Sequence, residues 1–274
     1  MRASGLAALG LVVGFASAAL GVGGGIIMVP ALVLLFHLDI KKAVGTSLAA
    51  IIPISAVGIA AHYAVNAGNM RVIVAAYLAA GAVIGTRGGA AAVKRINPGV
   101  LSRLFAALLL FSGLELAGVV EVPVRAVTDG GGGPVLLLIG LAIGFASALF
   151  GVGGGIIMVP LLNIIFGLTI HEATATSLLV VLPTSIAGAL FHRSQGTIAR
   201  EALLPLLPTA LIGAALGAVA ANALSGEALE LAFGVLLLVS AARLFLEREK
   251  EEKRPAQAST MEPSPKKPLL RRLP

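Results

Sequence analysis

Two glycine-rich turns are the residues whose type and spacing could do chemistry in this chain. Gly21-Val22-Gly23-Gly24-Gly25 precedes the apolar run IIMVPALVLLF, and the same five residue types at 151–155 precede IIMVPLLNIIF. Glycine permits a tight turn and lets a ligand approach the backbone closely. The helix N-terminus that follows presents free N–H groups and about half a positive charge, which suits an anion. We therefore predict two backbone anion sites, with N–H donors from Gly23, Gly24, Gly25, Ile26, Gly153, Gly154, Gly155 and Ile156.

Two Thr-Ser pairs could add hydroxyl donors to these sites. Thr46-Ser47 and Thr176-Ser177 lie one turn inside the helices that follow, ahead of Pro53 and Pro183. The alternative for the hydroxyls is a bond to the preceding helical turn. The alternative for the glycines is close helix packing, as small residues allow in bilayers. Ser17, Ser147 and Asn163 are further candidates by the same reasoning.

The pattern does not favour enzyme chemistry. No Gly-Lys-Ser/Thr follows the glycines, so a nucleotide loop is not indicated. The chain has no cysteine, no HExxH motif and no clustered Asp residues at helical spacing. We predict no catalytic residues, no metal and no cofactor. Glu115 and Glu201 lie in or near apolar helices and are candidates for carrying a coupling proton, and the histidines His62 and His192 are expected near opposite membrane faces.

Composition indicates a chain that lies in a lipid bilayer. Hydrophobic residues make up 58% of it and charged residues only 12%, with a mean hydropathy of +1.00. A water-soluble domain needs more polar surface than this. The net charge of +7 does not indicate nucleic acid, because eight of the twenty Lys and Arg residues lie after residue 247. The expected partners are the lipid bilayer and a small anion, and the sequence leaves a homo-oligomer open.

An internal repeat divides the chain into two homologous halves. Residues 14–30 and 144–160 share fifteen of seventeen residues, and an offset of 130 aligns the Thr-Ser pairs, the helix prolines and both histidines. After a small gap, Gly81 and Gly85 align with Gly213 and Gly217. We predict repeats at 1–118 and 134–246, an extracytoplasmic connector at 119–133 and a charged, disordered cytoplasmic tail at 247–274. Duplication of this kind is common in secondary transporters.

The apolar segments and charges predict an all-α membrane protein with inverted repeats. Each half begins with a glycine-broken, crossing or re-entrant helix pair, and residues 5–20 belong to it rather than to a signal peptide. Three spanning helices follow, at 42–64, 70–92 and 98–118, then at 172–192, 199–221 and 226–246. With both termini cytoplasmic and the second half upside down, eighteen Lys and Arg residues lie inside and two outside.

The duplicated GVGGGIIMVP, each copy followed by TSL and a helix proline, resembles the TauE/SafE family of sulfite exporters over residues 5–246. The resemblance implies export of sulfite, sulfoacetate or related sulfonates across the cytoplasmic membrane. By position, it suggests the glycine turns and adjacent Thr-Ser pairs as the substrate region. Our hypothesis is a secondary transporter that works by alternating access. An anion channel, or a permease for other small organic anions, is the alternative.

Overall fold

The structure, a computed structural model, describes residues 3–92, 107, 109–111, 113–114, 133–150 and 153–258. This part of the chain is helical and contains no strand. The first half provides α1 (Ala3–Leu20), α2 (Gly25–Leu34), α3 (Ile40–Asn66), a 3-10 turn (Ala67–Asn69) and α4 (Val72–Ala92). The second provides α5 (Gly133–Phe150), α6 (Gly155–Ile164), α7 (Ile170–Ser194), α8 (Arg200–Ala223) and α9 (Gly226–Ala258).

The predicted glycine breaks are confirmed in both halves. The helix ends at Leu20 and restarts at Gly25, and in the second half it ends at Phe150 and restarts at Gly155. The helices that follow the breaks, α2 and α6, have ten residues each. At about 1.5 Å per residue they reach only about 15 Å, half of a hydrocarbon core of about 30 Å. Neither α2 nor α6 is therefore long enough to cross such a core by itself.

Four described helices are long and apolar enough to cross a bilayer. They are α1, α3 with its 3-10 extension, α7 and α8, and shorter apolar stretches cover 72–88 and 133–147. The segment predicted at 98–118 and the connector at 119–133 lie almost wholly outside the described residues. Helix α9 continues to Ala258, so the predicted boundary at 246 is not a helix end. The tail beyond 258 lies outside the described residues.

The halves are interleaved through two close helix crossings. Helix α1 packs along α8, and a Cβ added at Gly14 would overlap the carbonyl oxygen of Ala210. Helix α5 packs along α4, with Gly144 against the carbonyl of Ala82 in the same way. Both crossings are parallel, and each uses the four-residue glycine spacing that brings membrane helices into backbone contact. The first helix of each half is thus covered by the fourth helix of the other.

The contacts correct the predicted alignment of the later glycines. Gly85 packs against the carbonyl of Leu141, and Gly213 packs against the carbonyl of Leu11, the repeat partner of Leu141. Gly213 is therefore the counterpart of Gly85, and its alignment with Gly81 was wrong by one helical turn. The error arose because small residues recur every four positions in these helices, so spacing alone fits two registers equally well.

The central helices α3 and α7 pack against each other and run antiparallel. A Cβ added at Gly58 would lie 3.1 Å from a methyl of Leu178, and one at Gly188 would lie 2.9 Å from a methyl of Leu48. Later residues of α3 therefore contact earlier residues of α7. The repeat partners α3 and α7 therefore form an antiparallel pair where the halves meet.

Candidate functional site

The two glycine turns meet where the halves contact each other. A Cβ added at Gly155 would lie 2.6 Å from the carbonyl oxygens of Gly21 and Val22. The other side of Gly21 packs against the backbone of Thr174 at the start of α7, where an added Cβ would lie 2.7 Å from the carbonyl oxygen. The sequence placed both turns at one central location, and the structure brings them into contact.

The turns require glycine because their backbone is left-handed. The φ angles are 68° at Gly21, 76° at Gly23, 77° at Gly24, 77° at Gly153 and 82° at Gly154. Residues with a side chain rarely adopt such angles. Each turn therefore keeps its shape only while these positions remain glycine.

Each turn leaves backbone donors free at a helix N-terminus. The carbonyl of Gly24 accepts from the N–H groups of Ile27 and Met28, at 3.2 and 3.0 Å. The N–H groups of Gly24, Gly25 and Ile26 donate to no described residue. The second turn repeats the arrangement, with the N–H groups of Gly154, Gly155 and Ile156 equally uncommitted within the described chain. Such donors are usually satisfied by caps, water or a ligand.

A serine ridge on α7 faces the turns. Ser177, Val181 and Ser185 follow one another at four-residue spacing, which places them on one helix face. The Ser177 hydroxyl donates to the Gly21 carbonyl at 2.8 Å. The Ser185 hydroxyl lies 3.2 Å from the position of a Cβ on Gly153. The repeat partners of the two serines are Ser47 and Ser55 on α3.

On α1, α3 and α7, five buried hydroxyls have no hydrogen-bond partner among the described residues. They belong to Ser17, Ser47, Ser55, Thr174 and Ser185, and each side chain is fully buried. Ser17 lies beside Gly24, with its Cβ 3.2 Å from the position of an added Cβ there. Buried hydroxyls in folded proteins nearly always have a partner, so a group of unpaired ones indicates a place for a polar ligand or water.

The threonines of the Thr-Ser pairs make a different contact. The Thr46 hydroxyl accepts from the N–H of Ala199 at 2.9 Å, just before α8. The Thr176 hydroxyl accepts from the N–H of Arg71 at 3.1 Å, just before α4. Each threonine therefore holds the start of the other half's fourth helix. A substrate role for the threonines stays a prediction.

Of the two further candidates in the second half, Ser147 lies at its glycine turn and Asn163 does not bind there. Ser147 is buried, and its hydroxyl is 3.6 Å from the position of a Cβ on Gly154. The Asn163 amide donates to the Leu168 carbonyl at 2.9 Å and so fixes the end of α6. Glu201 is exposed in the first turn of α8, and Glu115 lies outside the described residues. Within the described chain, no three His, Asp or Glu side chains are close enough to hold a metal ion.

Sequence reasoning did not single out Ser55, Ser185 or Thr174 as site residues. Ser55 and Ser185 were recoverable, because they are repeat partners and lie eight residues after Ser47 and Ser177 on the same helix ridge. Thr174 carried no such signal, because Val44 takes its place in the first half.

A family model described as "Sulfite exporter TauE/SafE" matches residues 1–116 and 136–272. The chain belongs to this family. The predicted resemblance is thus confirmed over both halves. Curated relatives of this TauE/SafE protein include "Probable membrane transporter protein YdhB" of Bacillus subtilis, 28% identical over 77% of this chain and 85% of the relative. Another is "Probable membrane transporter protein YunE" of the same organism, 26% identical over 88% of this chain and 97% of the relative.

The relatives and the helices together give a coarse description of the TauE/SafE chain. An archaeal relative from Methanocaldococcus jannaschii, "Probable membrane transporter protein MJ0441", is 28% identical over 69% of this chain and 72% of its own length. No solved structure matches the chain. Family membership and the apolar helices make the chain a multi-pass membrane protein of a transporter family, in keeping with a protein that is not an enzyme.

Proposed function

We propose that this protein is a secondary transporter that exports a small sulfur oxyanion, sulfite or an organosulfonate such as sulfoacetate, across the cytoplasmic membrane. The observation that carries the proposal is the meeting of two glycine turns whose helix-start N–H groups donate to no described residue, with the buried Ser17 and Ser185 hydroxyls, unpaired within the described chain, beside them. An oxyanion supplies the acceptors that these donors lack. Sulfite itself rests on the family's description alone.

The donor set favours an anion over a neutral or cationic solute. The N–H groups of Gly24, Gly25 and Ile26 and their counterparts are all hydrogen-bond donors. The helix dipoles of α2 and α6 add positive potential at the same helix ends. The unpaired hydroxyls of Ser17, Ser47 and Ser185 can turn to donate as well. Ligation by neutral donors holds an anion without a buried cation, so release stays fast enough for turnover.

We propose further that the halves are inverted repeats and that both termini are cytoplasmic. The antiparallel packing of the repeat partners α3 and α7 supports this, because repeats of the same orientation would make those helices parallel. The distribution of Lys and Arg supports it independently. Transport would then proceed by rocking of the halves about the contact between Gly21 and Gly155, which exposes the turns to each side in succession.

The test is sulfite flux in proteoliposomes, comparing the parent with Ser47→Ala. The Ser47 hydroxyl has no described partner, so its removal leaves no protein group newly unpaired. We expect the KM for sulfite to rise about tenfold, since a hydrogen bond to a charged group contributes about 1.5–3 kcal/mol. Thermal stability in detergent should be unchanged.

Ser240→Ala is the matched control. Ser240 is also a buried serine, but its hydroxyl donates to the Leu236 carbonyl of its own helix at 2.6 Å. Its flux should equal that of the parent. If Ser47→Ala and Ser240→Ala carry sulfite equally well, the turns are not the anion site. Flux that does not saturate and shows no counter-transport would favour an anion channel. Flux of carboxylates but not of sulfur anions would favour a permease for other small organic anions.

A further inference from the structure

A buried histidine connects the end of α1 to the opposite half of the protein. His62, near the end of α3, is only 1% exposed. Its Nε2 lies 2.8 Å from the carbonyl oxygen of Ala18, three residues before the first glycine turn. Its Nδ1 lies 2.9 Å from the side-chain nitrogen of Asn222, near the end of α8. The imidazole therefore joins three helices.

The partners of His62 settle its protonation state. The Asn222 side-chain nitrogen also donates to the Ala218 carbonyl at 2.8 Å, and its side-chain oxygen accepts from Asn69 at 3.3 Å. The amide orientation is thus defined, and its N–H points at Nδ1 of His62. Nδ1 must accept, so the proton is on Nε2 and is donated to Ala18. The ring is neutral.

A second proton on His62 would disrupt this network. The imidazolium has a donor at each nitrogen, so Nδ1–H would face the N–H of Asn222. Rotating the Asn222 amide would not help, because its oxygen would then face the Ala218 carbonyl and its nitrogen would face the donor of Asn69. Relief requires either that α3 separates from α8 or that the Asn222 and Asn69 amides rotate together, which breaks the bonds to Ala218 and Asn66.

The polar network around this histidine extends to one end of the molecule. Asn69 donates to Asn222, Asn66 donates to Asn69, and both Asn66 and Asn69 lie at the end of α3 where the chain becomes exposed. In the proposed topology this end is extracytoplasmic.

Resting on the proposed function, we propose that His62 is a proton-dependent positioning residue of the transport site. The neutral ring holds the carbonyl of Ala18, and with it the end of α1 that leads into Gly21, so the turns stay closed to the extracytoplasmic side. The protonated ring releases α8 and opens that side. An intramembrane histidine with such partners is a functional residue by default.

The other titratable groups around His62 do not share this property. Helix α1 carries none between Ala3 and Leu20, and those of α8, Arg200 and Glu201, lie at its opposite end. On α7, Glu172 is paired with Arg71. His171 contacts two carbonyls through Nε2, those of Ala221 and Leu224, so a second proton would leave both bonds intact. Tyr63, beside His62 on α3, is exposed.

The absence of cysteine in the chain gives a test that needs no substrate. Ser17→Cys places one thiol beside Gly24, and a membrane-impermeant maleimide is added from the extracytoplasmic side. The labelling rate is measured at about pH 8 and at about pH 5.5, a range in which histidine titrates. It is corrected for the fraction of thiolate by comparison with an exposed cysteine. We expect the corrected rate to rise about tenfold as the pH falls.

Three second-site changes decide the role of His62. His62→Gln keeps a donor toward Ala18 but cannot titrate, so labelling should stay low at both pH values. Asn222→Asp gives Nδ1–H an acceptor and should also keep labelling low. The repeat partner change His192→Gln should leave the tenfold rise intact.

The outcomes separate this inference from the proposed function. The inference would be overturned if the rise in labelling persisted in His62→Gln, or if it were lost equally in His192→Gln. Labelling of His62→Gln that is high at both pH values would overturn it as well. None of these depends on which anion is carried. Conversely, a protein that labels as expected but moves no sulfur anion would overturn only the proposed function.

Discussion

The two ends of the α3–α7 pair share a backbone arrangement but differ in their side chains. At the end that contains His62, a half-buried network through Asn222 and Asn69 and the ion pair between Arg71 and Glu172 join the halves. At the other end, the half-buried His192 binds the Thr197 hydroxyl of its own half at 2.8 Å. The described residues form no ion pair there.

The difference shows which parts of a duplicated chain have stayed equivalent. Both ends keep a threonine hydroxyl that accepts from the backbone before the fourth helix of the other half. Both crossings keep glycine against a carbonyl. The polar side chains that join the halves, by contrast, have diverged. The backbone contacts are thus repeated at both ends, whereas the side-chain bonds between the halves are more numerous at the end that contains His62.

The largest effect should come from the crossings, where the halves are equal. Gly14→Ala and Gly144→Ala each place a Cβ onto a carbonyl oxygen of the facing helix. We expect each to lower the free energy of unfolding by about 3 kcal/mol or more. Thermal unfolding of the purified protein in detergent measures it. Gly88→Ala, where an added Cβ meets nothing within 4 Å, is the control and should not destabilise. Clearly unequal losses of unfolding free energy in Gly14→Ala and Gly144→Ala would show that the two helix crossings are not equivalent.

A smaller and again equal effect is expected at the threonines. Thr46→Val and Thr176→Val remove the acceptors for the N–H groups of Ala199 and Arg71. Each should cost about 1 kcal/mol of stability, the typical value of one hydrogen bond. Chemical unfolding in mixed micelles is a suitable measurement. Thr86→Val, which loses mainly a bond to its own helix at the Ala82 carbonyl, should cost less. A loss at only one of the two threonines would show that the starts of α4 and α8 are held differently.

The smallest effect should appear where the ends differ. Arg71→Gln removes the ion pair to Glu172, and Lys42→Gln changes a cation at the other end that has no described ion-pair partner. Because Arg71 is 52% exposed, its pair should contribute about 0.5 kcal/mol. The cost should appear at low salt and vanish at high salt, whereas Lys42→Gln should show no such dependence. If the stability of both variants depended on salt in the same way, the ion pair would not contribute to the difference between the two ends.

The sequence was sufficient to predict most of the architecture. The glycine breaks, the short helices after them and the long helices α3, α7 and α8 follow from hydropathy and from the repeat. The meeting of the two turns also followed, because a duplicated site on a two-fold axis must face its copy. These features depend on residue types that both halves retain.

What the sequence could not provide was contact between residues without repeat partners. Asn222 lies far from His62 in sequence, and position 94, an offset of 128 earlier, is a lysine, so nothing marked the pair. The register of Gly213 failed for a related reason, since glycine and alanine recur at every turn. The direction in which a Thr or Ser hydroxyl points depends on the neighbouring helix, which is why Thr46 and Ser47 make different contacts.

The interleaved crossings have a consequence for how the protein is made. The glycine face of α1 is covered by α8, which the ribosome adds only after α2 to α7. Until then α1 sits in the bilayer with its backbone-contact surface against lipid, and the crossing of α4 with α5 closes first. The N-terminal half thus lacks the helix that covers α1 until α8 has been made.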